Sequence, residues 1–265
     1  MIPYFKLTSI ALGPIQIQVW GLVVSFGIIA GVAVVYLLAK KYALSTNVVL
    51  DMAIWAVIGG LIGGRIFFVL FYSPDYFLQY PLDIFKFWQG GASSLGGFVG
   101  AFVAVWIYLK KYHFSFNEIL PYLDILSLGL WLGWGIGRIG CFFIHDHIGK
   151  LSNFFLAVDF SFVVPYGARH DLGLYDSLLG FLLFIVFILL SKKLIRLWAG
   201  LVAFWSFVCY AIVRFFLDFL RATDLDYIDA RYAGLTPAQW GSIIFLASIL
   251  TLSLFWNKIM SAKEK

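Results

Sequence analysis

Charge is what this 265-residue sequence has least of. Only 12% of its residues are charged and its mean hydropathy is +0.93, against about 25% charged in an ordinary soluble domain. Too few charges are present to build a solvated surface, which excludes a soluble globular protein. Cysteine is also scarce: Cys141 and Cys209 are the two present, and they give no disulfide framework. Cys209 sits mid-run and reads as a small core residue. Cys141 reads as packing or as site lining. The 19 basic residues are scattered over short polar breaks without a basic stripe, so nucleic acid is not an expected partner. No low-complexity tract or domain linker stands out, and 1–265 reads as a single integral membrane domain. The first ten residues carry one lysine and the first apolar run is too long for a signal h-region, so no removable leader is expected.

What the chain has in excess is apolar length. Hydrophobic residues make up 62% and aromatic residues 20%. A helix needs about 20 apolar residues to span a bilayer. Runs at roughly 19–39, 49–72, 94–109, 120–143, 174–191, 198–220 and 237–257 meet or approach this. The expectation is an all-α polytopic membrane protein with about seven transmembrane helices. Trp20, Trp88, Trp198, Trp240 and Trp256 lie near segment ends, where an interfacial belt places them. Two breaks are longer, 73–93 and 144–173. The second alternates apolar residues from Phe154 to Val164, then runs into Pro165 and Gly167. It reads as a small extracytoplasmic cap between helices four and five, with strand character.

Lysine and arginine orient the spans. One side holds ten of them: Lys40, Lys41, Lys110, Lys111, Lys192, Lys193, Arg196, Lys258, Lys263 and Lys265. The opposite side holds six, along with eight acids. The predicted topology puts the amino-terminal end outside, the carboxy-terminal end in the cytoplasm, and 144–173 on the outer face. Gly129, Gly133 and Gly137 recur every four residues, as do Gly59 with Gly63 and Gly60 with Gly64. Small residues at this spacing let membrane helices approach closely.

Three arginines fall inside spans. Arg138 is the one charge between Ile125 and Ile144, among five glycines. A lone arginine at membrane depth costs roughly 2.5–3.5 kcal/mol on insertion scales. Its fork suits carboxylate or phosphate and never loses its proton. It therefore calls for an anion, and the abundant anion in a bilayer is a lipid phosphate. Tyr210, Arg214, Asp218 and Arg221 are spaced 4, 4 and 3 apart, on one helix face. Asp218 can pair with either arginine, but one acid cannot neutralise two, so this face also favours an anion. Arg65 reads either as a third basic wall or as a snorkelling side chain. Past Arg138 the chain turns polar at His145, Asp146 and His147.

These residues resemble the prolipoprotein diacylglyceryl transferase family. The resemblance covers Leu12-Gly13-Pro14-Ile15, Gly63-Gly64-Arg65, Phe71-Tyr72, Trp88-Gln89-Gly90-Gly91 and Gly96-Gly97. It continues through Pro121, Asp124, Gly137-Arg138-Ile139-Gly140, Gly149, Arg169-His170, Leu174-Tyr175-Asp176, the Arg214-Asp218-Phe219-Arg221 set and Gln239. Four positions depart from the family pattern. Leu95 stands for a histidine, Trp20 for a tyrosine, Cys141 for an asparagine and Asp146 for a glutamate.

The resemblance implies a bacterial cytoplasmic (inner) membrane enzyme without cofactor or metal. Its reaction moves the diacylglyceryl group of phosphatidylglycerol onto the lipobox cysteine of a prolipoprotein signal peptide. Membrane lipids and prolipoproteins are then the partners. Arg138 and Arg214 would stabilise the leaving phosphate. Gly149, Tyr210, Asp218, Arg221, Arg65, His170 and Gln239 would bind substrate.

With Leu95 unable to accept a proton, His145, His147 and Asp146 are the nearest titratable groups along the chain to Arg138. They are expected to supply the base, with His170 as a competitor and a purely helix-capping role as the alternative. If the helix ran on, His145 would stack about two turns (~10 Å) beyond Arg138. Two other functions stay open: an inactive lipoprotein- or phospholipid-binding relative, and a metal-dependent membrane hydrolase using the His-Asp-His loop.

Overall fold

A computed structural model describes residues 1–13, 15–86, 91–225 and 231–263, with side chains described as far as 251 except at 15, 94 and 95. Pro14, Trp88, Gln89, Gly90, Asp226 and Asp229 lie outside the described residues, as do the side chains of Leu95, Trp256, Lys258 and Lys263.

Three short strands come first: β1 (Ile2–Pro3), β2 (Ser9–Leu12) and β3 (Ile15–Gln18). Helices α1 (Val19–Lys41), α2 (Thr46–Phe71) and the short α3 (Pro74–Gln79) follow. After a 3-10 turn at Pro81–Phe85 come α4 (Ser94–Lys111) and α5 (Phe116–Ile144). Strands β4 (Ile148–Leu151), β5 (Val158–Asp159) and β6 (Ala168–Asp171) lead into α6 (Leu172–Leu197) and α7 (Leu201–Leu217). A 3-10 turn at Asp218–Leu220 and α8 (Pro237–Lys263) complete the described chain. Among the described residues, five helices are long and apolar enough to cross a membrane: α1, α2, α5, α6, and α7 with its 3-10 extension. The protein is a mostly helical, multi-pass membrane protein.

It is not wholly helical, which corrects the all-α expectation. Ile15-Gln16-Ile17-Gln18 alternates with the period of a strand and pairs antiparallel with β2, Leu12 opposite Ile15. Gly13 turns the chain with φ +62. A second sheet runs β1-β5-β6-β4. In it β1 is parallel to β5 (Ile2 opposite Val158), and β6 is antiparallel to both β5 and β4.

Contacts group the chain into two units, residues 35–122 and residues 1–34 with 123–265. Within 35–122, α2 and α4 meet through glycine. A Cβ on Gly63 would lie 2.4 Å from the Gly96 carbonyl oxygen, and one on Gly100 would lie 2.2 Å from that of Gly59. No side chain fits there, which is how a small-xxx-small stripe holds two membrane helices together. Ser45 and Ser93 cap α2 and α4, each accepting a backbone N–H of the first turn.

In the larger unit α5 packs on α1 in the same manner: a Cβ on Gly27 would meet the Gly133 oxygen at 2.6 Å. The Asp124 side chain, on α5, accepts from Gly200 N (2.7 Å) and Ala203 N (2.9 Å). A carboxylate from one helix thus caps the start of α7 and complements its dipole.

Candidate active site

Helix α5 carries Arg138 toward α6, where Asp176 is fully buried. Arg138 Nη2 lies 3.6 Å from Asp176 Oδ2. Arg214, on α7, grips the same carboxylate far more closely, with Nη1 2.8 Å from Oδ2 and 3.0 Å from Oδ1. Its other nitrogen, Nη2, lies 3.0 Å from Asp218 Oδ1, one turn further along. Arg221 Nε then donates to the same Asp218 oxygen at 2.7 Å. The hydroxyl of Thr236 donates to the remaining oxygen, Asp218 Oδ2. The result is a ladder of alternating charge across α5, α6, α7 and the residue before α8.

Gln239 braces the ladder's far end. It accepts from Thr236 N at 3.0 Å, and its amide donates to the Phe215 carbonyl at 3.1 Å. Gly149 braces the side. It bridges Arg221 in an antiparallel pair, and a Cβ there would sit 2.6 Å from the Leu220 carbonyl oxygen. The absent side chain lets β4 lie against the turn that presents Asp218 and Arg221.

Arg138 is the least neutralised cation of the ladder. Besides its long contact with Asp176, its guanidinium stacks over Trp134 at 4.3 Å and points Nη1 at Cys141 Sγ, 3.6 Å away. The Tyr210 ring flanks Trp131 and Trp134, at 5.0 and 5.9 Å between centroids. Three guanidiniums, of Arg138, Arg214 and Arg221, thus share two carboxylates, Asp176 and Asp218. The surplus is one positive charge, the complement of a phosphodiester.

The polar turn after α5 departs from expectation. The helix stops at Ile144, because His145 takes the left-handed conformation (φ 51). His145 therefore does not stack beyond Arg138. Its Nδ1 pairs with Asp171 at 2.7 Å, its Nε2 contacts the Phe5 carbonyl oxygen, and its ring is packed among Tyr4, Phe5, Phe142 and Phe160. Both ring nitrogens of His145 are thus engaged within the protein. The His145–His147 ligand pair of the hydrolase alternative is not formed.

The turn instead brings Asp146 and His147 back over Cys141, with ligand atoms of the three within 4.8 Å of one another. Burial, followed by the fields of Arg138, Arg221 and Arg214, holds His147 down to about 3, so it is neutral at physiological pH. Asp146 is pushed up by desolvation against the opposing pull of Arg138.

Two other expected site residues are engaged elsewhere. His170 Nδ1 lies 2.7 Å from the Tyr175 hydroxyl, and burial lowers its pKa. Arg65 belongs to the smaller unit. Its guanidinium is buried and donates to the carbonyls of Ile84, Asp83, Gly91 and Lys86. It ties the 3-10 turn to α2 rather than snorkelling to headgroups.

Asp176 is the central residue that sequence reasoning passed over, matched to a motif but given no role. The signal was available: an acid inside a membrane span demands a partner as much as Arg138 does.

The family model described as prolipoprotein diacylglyceryl transferase matches residues 7–256. The chain belongs to the prolipoprotein diacylglyceryl transferase family. Curated relatives named phosphatidylglycerol–prolipoprotein diacylglyceryl transferase include one from Nitrosomonas europaea, 32% identical over 96% of this chain and 90% of its own. Another, from Neisseria meningitidis, is 32% identical over 91% and 92%. A third, from Pseudomonas paraeruginosa, is 31% identical over 89% and 88%.

Proposed function

We propose that this chain transfers the diacylglyceryl group of phosphatidylglycerol to the lipobox cysteine thiol of prolipoproteins. The observation that carries the site assignment is the ladder's surplus charge, concentrated on Arg138. The substrate thiolate attacks the glycerol carbon that bears the phosphate. A carbon–sulfur bond forms, that carbon–oxygen bond breaks, and the electron pair leaves on glycerol phosphate. Arg138 binds the phosphate and stabilises its growing charge, with Arg214 behind it. Such fixed donors act without reorganising in a water-poor site. Asp176 and Asp218 hold the two arginines. Tyr210, Arg221, Gly149 and Gln239 shape and brace the pocket.

The proton of the attacking thiol goes to His147, with Asp146 beside it. A free thiol has a pKa of about 8.5, and a positioned base contributes about 10²–10⁴-fold. In the free protein burial, followed by the arginine field, keeps His147 a weak base. The bound phosphate cancels one positive charge of that field and raises the basicity of His147 when the thiol arrives.

In the membrane, α4 and α8 join those five helices to give seven spans in one integral domain. The amino-terminal end lies outside and the carboxy-terminal end in the cytoplasm. The 144–173 segment forms the extracytoplasmic cap over an outward-facing site. The test is to incubate purified protein with phosphatidylglycerol and a lipobox peptide, and to look for the diacylglyceryl thioether by mass spectrometry. Absence of product from folded protein, beside a working control enzyme, refutes the reading.

A further inference from the structure

The transfer reaction needs a thiol from the prolipoprotein, not one from the enzyme. Yet Cys141 places a buried thiol beside Arg138, in a cluster with Asp146 and His147. We propose that Cys141, Asp146 and His147 bind one zinc-class divalent ion, and that its occupancy switches off the transfer site. The second half rests on the function proposed above.

Geometry supplies the first argument. The three ligand atoms already lie within 4.8 Å of one another. Zinc holds sulfur at about 2.3 Å and nitrogen or oxygen at about 2.0–2.2 Å, which separates tetrahedral neighbours by roughly 3.5 Å. Side-chain adjustments of about 1 Å therefore close the cluster on an ion. The backbone that carries it is held in place. The left-handed turn at His145 folds positions 146 and 147 back, and that turn is locked by Asp171 and Phe5.

Ligand chemistry supplies the second. Thiolate, imidazole and carboxylate together suit a borderline-soft ion such as zinc, not magnesium or calcium. The charges also balance: a thiolate and a carboxylate offset the two charges of the ion, so the occupied cluster is neutral. Arg138 Nη1, 3.6 Å from Sγ, is placed to donate to the metal-bound thiolate, as outer partners of metal ligands do. Three protein ligands leave a fourth position open. With its lone pair on the metal, His147 can no longer take the proton of the incoming thiol.

The experiment begins without substrate. The full chain, purified in detergent and treated with chelator, is titrated with cobalt(II) alone. One cobalt per chain is expected, with a near-ultraviolet thiolate-to-cobalt absorption that zinc displaces. Cys141→Ser should abolish that absorption, and His147→Gln should weaken binding at least tenfold. Cys209→Ser should change neither. No absorption, or one that survives Cys141→Ser, overturns the site. Zinc is then added to the working enzyme. Wild-type turnover should fall as the site fills, while Cys141→Ser, whatever its own rate, should no longer respond. Full turnover with zinc bound overturns the switch. Absence of turnover without metal defeats the transfer reading alone, because the cobalt result stands independently of it.

Discussion

Replacing Arg138 by lysine separates the two tasks of an arginine in a membrane helix, holding the fold and handling an anion. Its contacts inside the protein are long: 3.6 Å to Asp176, 3.6 Å to Cys141 and 4.3 Å to the Trp134 ring. Arg214 makes contacts of 2.8 to 3.0 Å with two buried acids. Breaking a buried, hydrogen-bonded ion pair costs about 3–5 kcal/mol. Arg214→Ala should therefore unfold the protein at markedly lower temperature, and Arg138→Lys should not. Lysine keeps the charge but replaces a two-donor fork with a point charge. Losing one preorganised donor to developing charge costs about 2.7–4 kcal/mol. That corresponds to a fall in kcat of roughly 10²–10³-fold. The assay is the initial rate of thioether formation on a lipobox peptide, run beside thermal unfolding in the same detergent. If Arg138→Lys keeps more than about a tenth of the wild-type rate, the phosphate-binding role is wrong. If Arg138→Ala unfolds as readily as Arg214→Ala, the long contacts were structural after all.

Asp124→Ala should remove both caps at the start of α7 and cost about 2 kcal/mol in thermal unfolding, with little change in rate per folded molecule. His147→Gln should lose at least tenfold in rate with the fold intact, whereas His145→Gln should lower stability because it breaks the buried contact with Asp171. Equal rates for His147→Gln and wild type would exclude it as the base. Arg169 holds the Asp224 carboxyl below its ordinary value. That pair's contribution is present above the unfolded pKa of about 3.9 and is lost as pH falls through the lower folded value. The melting temperatures of wild type and Asp224→Asn should differ slightly at pH 6 and converge in acid, the difference being small because Asp224 is half exposed.

The helices were legible because long apolar runs leave a membrane chain few alternatives. The glycine stripes were legible too, though only from one side. Gly129 and Gly133 declared a close approach, while Gly27 and Gly31 on the opposite helix were not paired with them. The strands before α1 went unread. At two to four residues each they fall below any hydropathy window, and the partner of β1 lies at Val158, across the whole first half of the chain. The arginines announced themselves as isolated charges. Asp176 did not, because its two arginine partners lie 38 residues apart from it in either direction: Arg138 before and Arg214 after. The placement of His145 was the least legible. Three polar residues in a row look alike, and only the left-handed turn sends the first into an aromatic cage and the other two toward the cysteine.

The pairing of β1 with β5 imposes a timetable on synthesis. Ile2 emerges early, but Val158 follows only after α1 to α5 have been made. At about 5–20 residues per second, the first strand waits roughly 8 to 30 seconds for its neighbour. The four-stranded sheet beside the site therefore forms late, once the helix bearing Arg138 is already in place. A ribosome stalled anywhere before residue 158 would leave a chain with its first helices inserted and β1 still without β5.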